Sequence, residues 1–371
     1  MRAIVCETRS GSFVADLDVS AWSYDTGILA PDKCEVTVPA YTKRALSMDL
    51  IELLTPFKYS LVLIDDTVEG VSVVRAAGPI TARTPDDDVD GKPTFKVTAR
   101  GPETLLQYRH VRKFPGWPLL TAGKPNGTYD MVLSGLSLGT IVKRLVQESE
   151  KFPAGELPIV FEADRAGIHE RLYEAVDGKP VLDAMDDIGE LDDGIEYDFV
   201  PQVDELDNLS YRLVTGLDGD GRIVGTDALT WNTGGQRPDI RGWEPNDLVT
   251  GVATDAIFTG GKGDDVTLAA RASSSVLTDQ GWPRVEVWDS SHSTVSVQST
   301  LQSLANGRIT GVASRPQFDV RAESAFGVRH GDIVEVASQG HWLLPDGNPR
   351  ERVLAVAHSS SDPDWIGVHL V

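Results

Sequence analysis

Three aspartates at alternate positions, Asp86, Asp88 and Asp90, stand directly ahead of Gly91. Oxygen ligands at positions one, three and five with a glycine at six form the opening half of a calcium loop. The second half is missing. The twelfth position, which needs a bidentate glutamate, is Val97, and the flanks read as strands rather than helices. An exposed hairpin turn accounts for the same residues, with a weak calcium site left open as the alternative. Gly260-Gly261-Lys262-Gly263 invites a phosphate-loop reading. That spacing needs a glycine five residues before Gly261, where Ala256 stands, and Ser or Thr after Lys262, where Gly263 stands. A glycine turn is expected instead, as it is for Asp218-Gly219-Asp220-Gly221.

Nucleophilic chemistry has one formal candidate, Ser290-Ser291-His292-Ser293. No nucleophile elbow and no acid partner accompany it. The seven histidines, from His110 to His369, show no metal spacing. Carboxylate pairs of the glycosidase kind have no singled-out members in so acidic a chain. Cys6 and Cys34 have neither metal nor redox spacing and read as reduced core thiols. Core packing is expected for most of the eight tryptophans, with Trp342, in Gln339-Gly340-His341-Trp342, the candidate for an exposed anchor. No catalytic residue, cofactor or metal ligand is assigned.

The acidic turn lies between two extended runs. Thr94 to Arg100 alternates strictly, with Phe95, Val97 and Ala99 on one face and Thr94, Lys96, Thr98 and Arg100 on the other, as a half-buried strand does. The preceding run carries Gly78-Pro79, so it must bend, bulge or lie on an edge there; Ile80 and Ala82 then resume the alternation. Gly101-Pro102-Glu103 followed by Leu105 and Leu106 starts a short helix. The unit is a bent hairpin closed by a helical turn, a corner of a small β-barrel.

These residues carry a resemblance. The order Gly78-Pro79-Ile80 with Arg83, the acidic turn, Thr94-Phe95 with Val97-Thr98-Ala99 and Gly101, then Leu105-Leu106 with Arg109, resembles the minor tail proteins of actinobacterial siphophages. These are hub proteins of the tail tip, related in fold to the hub of contractile tails. The resemblance implies two related barrels in each chain and a homotrimer ring that presents six near-equivalent barrels to a sixfold tail tube. The implied partners are the distal tail protein at the tube end, the tape measure protein, and distal minor tail or fibre proteins. DNA would pass only in transit through the lumen. Such a protein sits in the virion tail tip after synthesis in the host cytoplasm and is not an enzyme. A tail-associated cell-wall hydrolase and a carbohydrate-binding adhesin are the alternatives.

The rest of the chain is expected to be α+β and mainly β, with two β-barrel-like domains flanking a smaller α+β domain. The boundaries fall at 1–113, 114–235 and 236–371, the last with a helical insertion. In the first segment Ser12 to Val19 alternates, with Phe13 and Leu17 inward; Cys34 to Val38 alternates; and Tyr59 to Ile64 is continuously apolar. In the second, Leu138, Ile141, Val142, Leu145 and Val146 behind Ser137 form an amphipathic helix with its N-cap. A further helix follows Pro180, and Ile195–Val200 pairs with Leu209–Val214. In the third, Ala256–Gly263 and Asp265–Ala270 form a hairpin, and Asn306-Gly307 weakens a helix begun by Val297, Leu301 and Leu304. Strands follow at Phe318–Ala322, Asp332–Ala337, Arg352–His358 and Trp365–Leu370. Gly331-Asp332 and Asp346-Gly347 resemble the strand start and late turn of the same hub proteins.

The net charge of −22 is spread along the chain, which excludes a general nucleic-acid binder with a basic patch and suits a lumen past which DNA slides. No apolar run reaches membrane-spanning length, so insertion by this chain is not expected. The N-terminus, with one basic residue and a very short apolar run, does not read as a signal peptide.

Overall fold

The computed structural model describes all residues except 29, 69–70, 88–91, 228, 235–237, 246–252, 264–265, 293–294, 296, 311–317 and 340–345. The chain is α+β and mainly β. Its first hundred residues form seven strands: β1 Arg2–Glu7, β2 Phe13–Leu17, β3 Ala21–Gly27, β4 Ala30–Pro39, β5 Tyr59–Val68, β6 Val71–Asp87 and β7 Pro93–Arg100. They run in the order β2-β1-β5-β6-β7-β4-β3. The sheet then continues into Arg350–Ser359, Trp365–Leu370, Phe318–Glu323 and Ile240–Pro245.

Two strands explain how this sheet is covered. In β1 and β5 every side chain from Ala3 to Cys6 and from Leu61 to Ile64 is fully buried. Odd-numbered residues, Ala3, Val5, Leu61 and Leu63, belong to a core shared with the C-terminal strands. Even-numbered residues, Ile4, Cys6, Val62 and Ile64, belong to a second core beneath the helices. Successive strand residues face opposite ways, so a run apolar at every position is what a sheet between two cores requires.

The bend expected at Gly78-Pro79 is the point where β6 changes partner. It pairs with β5 as far as Ser60↔Pro79 and with β7 from Ile80↔Ala99. A Cβ on Gly78 would lie 1.7 Å from the carbonyl oxygen of Arg100, so only glycine allows the two backbones to meet there. The register shifts between Ile80 and Ala82, and this bulge turns Ala82 out to solvent, against the expected alternation. Strand β7 matches its pattern. Val97 and Ala99 are buried and Lys96 and Arg100 exposed, with Phe95 half-buried against the rim of the first core. Phe13 is a second correction: a shift between Val5 and Cys6 leaves it 37% exposed while Leu17 stays buried.

The helix Leu138–Glu150 begins where Ser137 accepts a hydrogen bond from the Thr140 amide, and it buries Leu138, Ile141, Val142, Leu145 and Val146. The helix Val181–Gly189 follows Pro180 and buries Val181, Met185 and Ile188. Tyr197–Val203 and Leu209–Thr215 form the expected hairpin, and Ile159–Phe161 adds to it in parallel. The hairpin of Asp255–Gly263 and Val266–Ser273 gains a third, parallel strand, Glu286–His292. The helix Gln298–Thr310 packs on it and runs straight through Asn306-Gly307. Gly307 is there for closeness, since a Cβ would sit 2.3 Å from the Glu190 carbonyl oxygen. Leu301, Leu304, Ala256 and Phe258 join the second core with the helices Leu138–Glu150 and Val181–Gly189.

The closing strands are Phe318–Glu323, Ile333–Ala337, Arg350–Ser359 and Trp365–Leu370. Gly331, at φ +87°, turns the chain into the second of them. The Asp332 carboxylate accepts from the amides of Thr226 at 2.7 Å and Arg329 at 2.9 Å, which is the physical content of the Gly-Asp strand start.

Candidate functional site

The seam between the N-terminal and C-terminal strands is where the chain builds a shared surface. Strand β3 pairs with Arg350–Ser359 through Ala355↔Gly27, Val356↔Thr26, Ala357↔Asp25, His358↔Tyr24 and Ser359↔Ser23. On one face of the seam Lys33, Asp25, Ala357, Gly367 and Arg321 stand side by side across five strands. Ala357 and Gly367 are small, so they floor a cleft of about 440 Å³ with charge at both ends. Trp365 forms part of its wall, with the Arg241 guanidinium 4.4 Å from the ring centroid. On the other face Trp22, Tyr24 and His358 pack together, the His358 ring edge-on to both.

Two buried or half-buried ion pairs tie the sheet to the segment between, one at a seam strand and one at β1. Arg352, only 6% exposed, donates to Glu196 Oε1 at 2.6 Å and to the Ile223 carbonyl at 2.6 Å. Arg2 grips both oxygens of Asp207 at 2.8 and 2.7 Å. The Arg2 contact holds the Asp207 carboxyl below the usual range. Such pairs contribute orientation more than stability, because desolvation offsets the Coulomb gain.

The motifs raised by spacing do not assemble into chemistry. Asp86 is exposed at the end of β6, and Asp88, Asp90 and Gly91 lie outside the described residues. Gly260 to Gly263 continues a strand, with Gly260 closed in by Val295 and Leu301. Asp218 does more than turn the chain: its carboxylate accepts from the Leu138 amide at the start of a helix. The Ser291 hydroxyl donates to Asp289 at 2.7 Å, while His292 is buried and stacked on Phe258 at 5.3 Å. Among the described residues no group of three His, Cys, Asp or Glu side chains is placed to hold a metal. Both cysteines are buried thiols; desolvation pushes Cys6 up to about 12 and Cys34 up as well. Among the described residues no helix is long and apolar enough to cross a membrane.

The tryptophans depart from the core expectation. Trp231 is fully buried and Trp22 and Trp243 pack at the rim of the first core, but Trp117 and Trp288 are 70% and 64% exposed. Trp117 sits between Gly116 and Pro118, where no strand or helix pattern covers it. Trp342 and His341 lie outside the described residues. Sequence spacing missed the seam cleft because its members are scattered from Ser23 to Gly367.

The fold is one that phage tail proteins use. A tail protein of Neisseria meningitidis MC58 superposes with a TM-score of 0.55 at 14% identity, covering 100% of this chain and 96% of that one. The 43 kDa tail protein of prophage MuSo2 of Shewanella oneidensis does so at 0.56 and 10% identity, covering 100% and 98%. No family model matches the chain, and no curated protein matches it in sequence.

Proposed function

We propose that the chain is a structural tail-tip hub protein of a long, non-contractile phage tail, of the actinobacterial siphophage kind. It would close the tail tube and link it to the tape measure and to distal fibre or receptor-binding proteins. The observation that carries this reading is the seam. One sheet runs unbroken from the N-terminal strands into the C-terminal ones, so two β segments are presented as a single rigid platform. The full-length likeness in fold to two tail proteins supports it. In this reading the segments 1–113 and 236–371 form barrel-like domains and 114–235 projects from them. Three chains form a ring through a head-to-tail interface that closes on itself. Acidic side chains line the lumen and repel DNA phosphates in transit. The protein performs no chemistry of its own.

A reconstruction of the intact tail tip tests this: three copies in one closed ring are expected. Six copies, or a copy on a peripheral fibre, would remove the hub assignment. The seam cleft, with Trp365 in its wall and polar groups at both ends, favours the carbohydrate-binding adhesin as a second reading. Glycan binding by the purified chain, lost on Trp365→Ala, would favour that reading over the ring.

A further inference from the structure

Four carboxyl groups from four elements meet under the seam, where the β platform touches the middle segment. Asp32 comes from β4 and Glu103 from the helical turn Glu103–Leu106. Asp186 comes from the helix Val181–Gly189 and Asp198 from the strand Tyr197–Val203. Asp32 and Glu103 are each 6% exposed, and Asp198 is 7% exposed. Glu103, Asp186 and Asp198 line a small cavity of about 40 Å³ together with Tyr197, Leu182 and Gly27. Gly101 makes room for the Glu103 carboxyl, because a Cβ there would lie 2.1 Å from Oε2.

The four groups are partnered unequally. Asp198 Oδ2 lies 2.8 Å from His330 Nε2, and Asp186 Oδ1 accepts from the Tyr197 hydroxyl at 2.5 Å. Lys179 is engaged with Asp187 at 2.8 Å, and Arg329 faces Asp198 and Asp332. None of these cations faces Asp32 or Glu103. Asp32 Oδ1 and Glu103 Oε2 are buried without a hydrogen-bond partner, and the charged groups that do face them are Asp25, Asp186, Asp198 and each other. Burial first and neighbouring carboxylates second push Glu103 up to about 8 and Asp32 well above the usual carboxylate range.

We propose that Asp32 and Glu103 form a proton-controlled clasp between the β platform and the middle segment. With their protons on, the two carboxyls seat the helix Val181–Gly189 and the strand Tyr197–Val203 against β4. Loss of the protons places uncompensated like charges across the joint and loosens it. The sign follows from proton linkage. A carboxyl that is raised in the folded state binds its proton more tightly there than in the open chain. The clasp is therefore tightest below the ordinary carboxylate range and weakens as pH rises through about 8. The chain would grip its projecting segment in mild acid and release it in mild alkali, a change of posture with no change of ligand.

Hydrogen exchange of the full purified chain between pH 5.5 and 9, corrected for the intrinsic rate, tests the clasp. The opening equilibrium of peptides spanning 181–203 is expected to rise by about tenfold per pH unit for each linked proton, the Glu103 share levelling off above about pH 8. Glu103→Gln keeps the shape and removes one of the two titrations, so its pH slope should be shallower than wild type and its exchange slower at pH 8.5. The exposed Glu52→Gln serves as the control and should follow wild type. An equal pH slope in Glu103→Gln and wild type would overturn the proposal. Should Glu103→Gln fail to fold, infrared spectra of the wild-type chain decide. A protonated-carboxyl band is expected at pH 6.5 and should lose about half of the Glu103 share near pH 8; its absence at pH 6.5 overturns the clasp.

Discussion

Strands β5 and β7 are both antiparallel to their partners and rich in branched residues, yet their neighbours demand opposite patterns. Leu61 to Ile64 of β5 is apolar at every position because the first core lies on one side and the second on the other. In β7 only Val97 and Ala99 are buried, and Lys96 and Arg100 meet water. The number of cores a strand touches is thus written in its period. This explains how one sheet serves as floor for the helices and wall for the platform at once. The difference also sets where the molecule tolerates change: a strand between two cores has no spare face.

The largest effect should fall on both faces of β5. Leu63→Ala and Ile64→Ala point into different cores, and each is expected to cost roughly 2–5 kcal/mol by chemical denaturation. A negligible cost for either one would show that the sheet has a free face after all. Gly78→Ala comes next, at roughly 2–3 kcal/mol, because the new methyl meets the Arg100 backbone where β6 passes from β5 to β7. A neutral result would mean that the two halves of β6 move independently. Phe95→Ala, at the half-buried rim of β7, should cost roughly 2 kcal/mol, about half the value for a fully buried ring. The smallest effects belong to the wet side. Lys96→Ala and Asp86→Asn should each stay within about 0.5 kcal/mol, and calcium should leave the melting temperature unchanged in both. A rise in melting temperature with calcium in wild type, lost in Asp86→Asn, would restore the metal site.

What could be read beforehand follows the same division. Thr94 to Arg100, the helix behind Ser137 and the apolar run from Tyr59 have local causes, namely period, cap and burial, and each stands where its pattern put it. Phe13 and Ala82 were misplaced because a bulge inverts the faces beyond it and leaves no residue signature at either site. Asn306-Gly307 was expected to weaken its helix, yet Gly307 is required by the Glu190 backbone pressed against it. The tryptophans were misjudged for a related reason: aromatic residues mark contact surface without saying whether it is internal. The burial of Asp32 and Glu103 went unread among 56 acids, since no local pattern marks it. The cleft on the seam is a product of register between distant strands, which no window of sequence contains.

That register has a temporal side. Thr26 of β3 hydrogen-bonds the Val356 carbonyl, 330 residues further along. During synthesis β3 must wait, as an open edge, until Arg350–Ser359 has emerged. Pairings so far apart are slow to form, and an unfilled edge invites the wrong strand. A chain cut short before Arg350 would therefore leave β3 as an open edge, and the seam would never form.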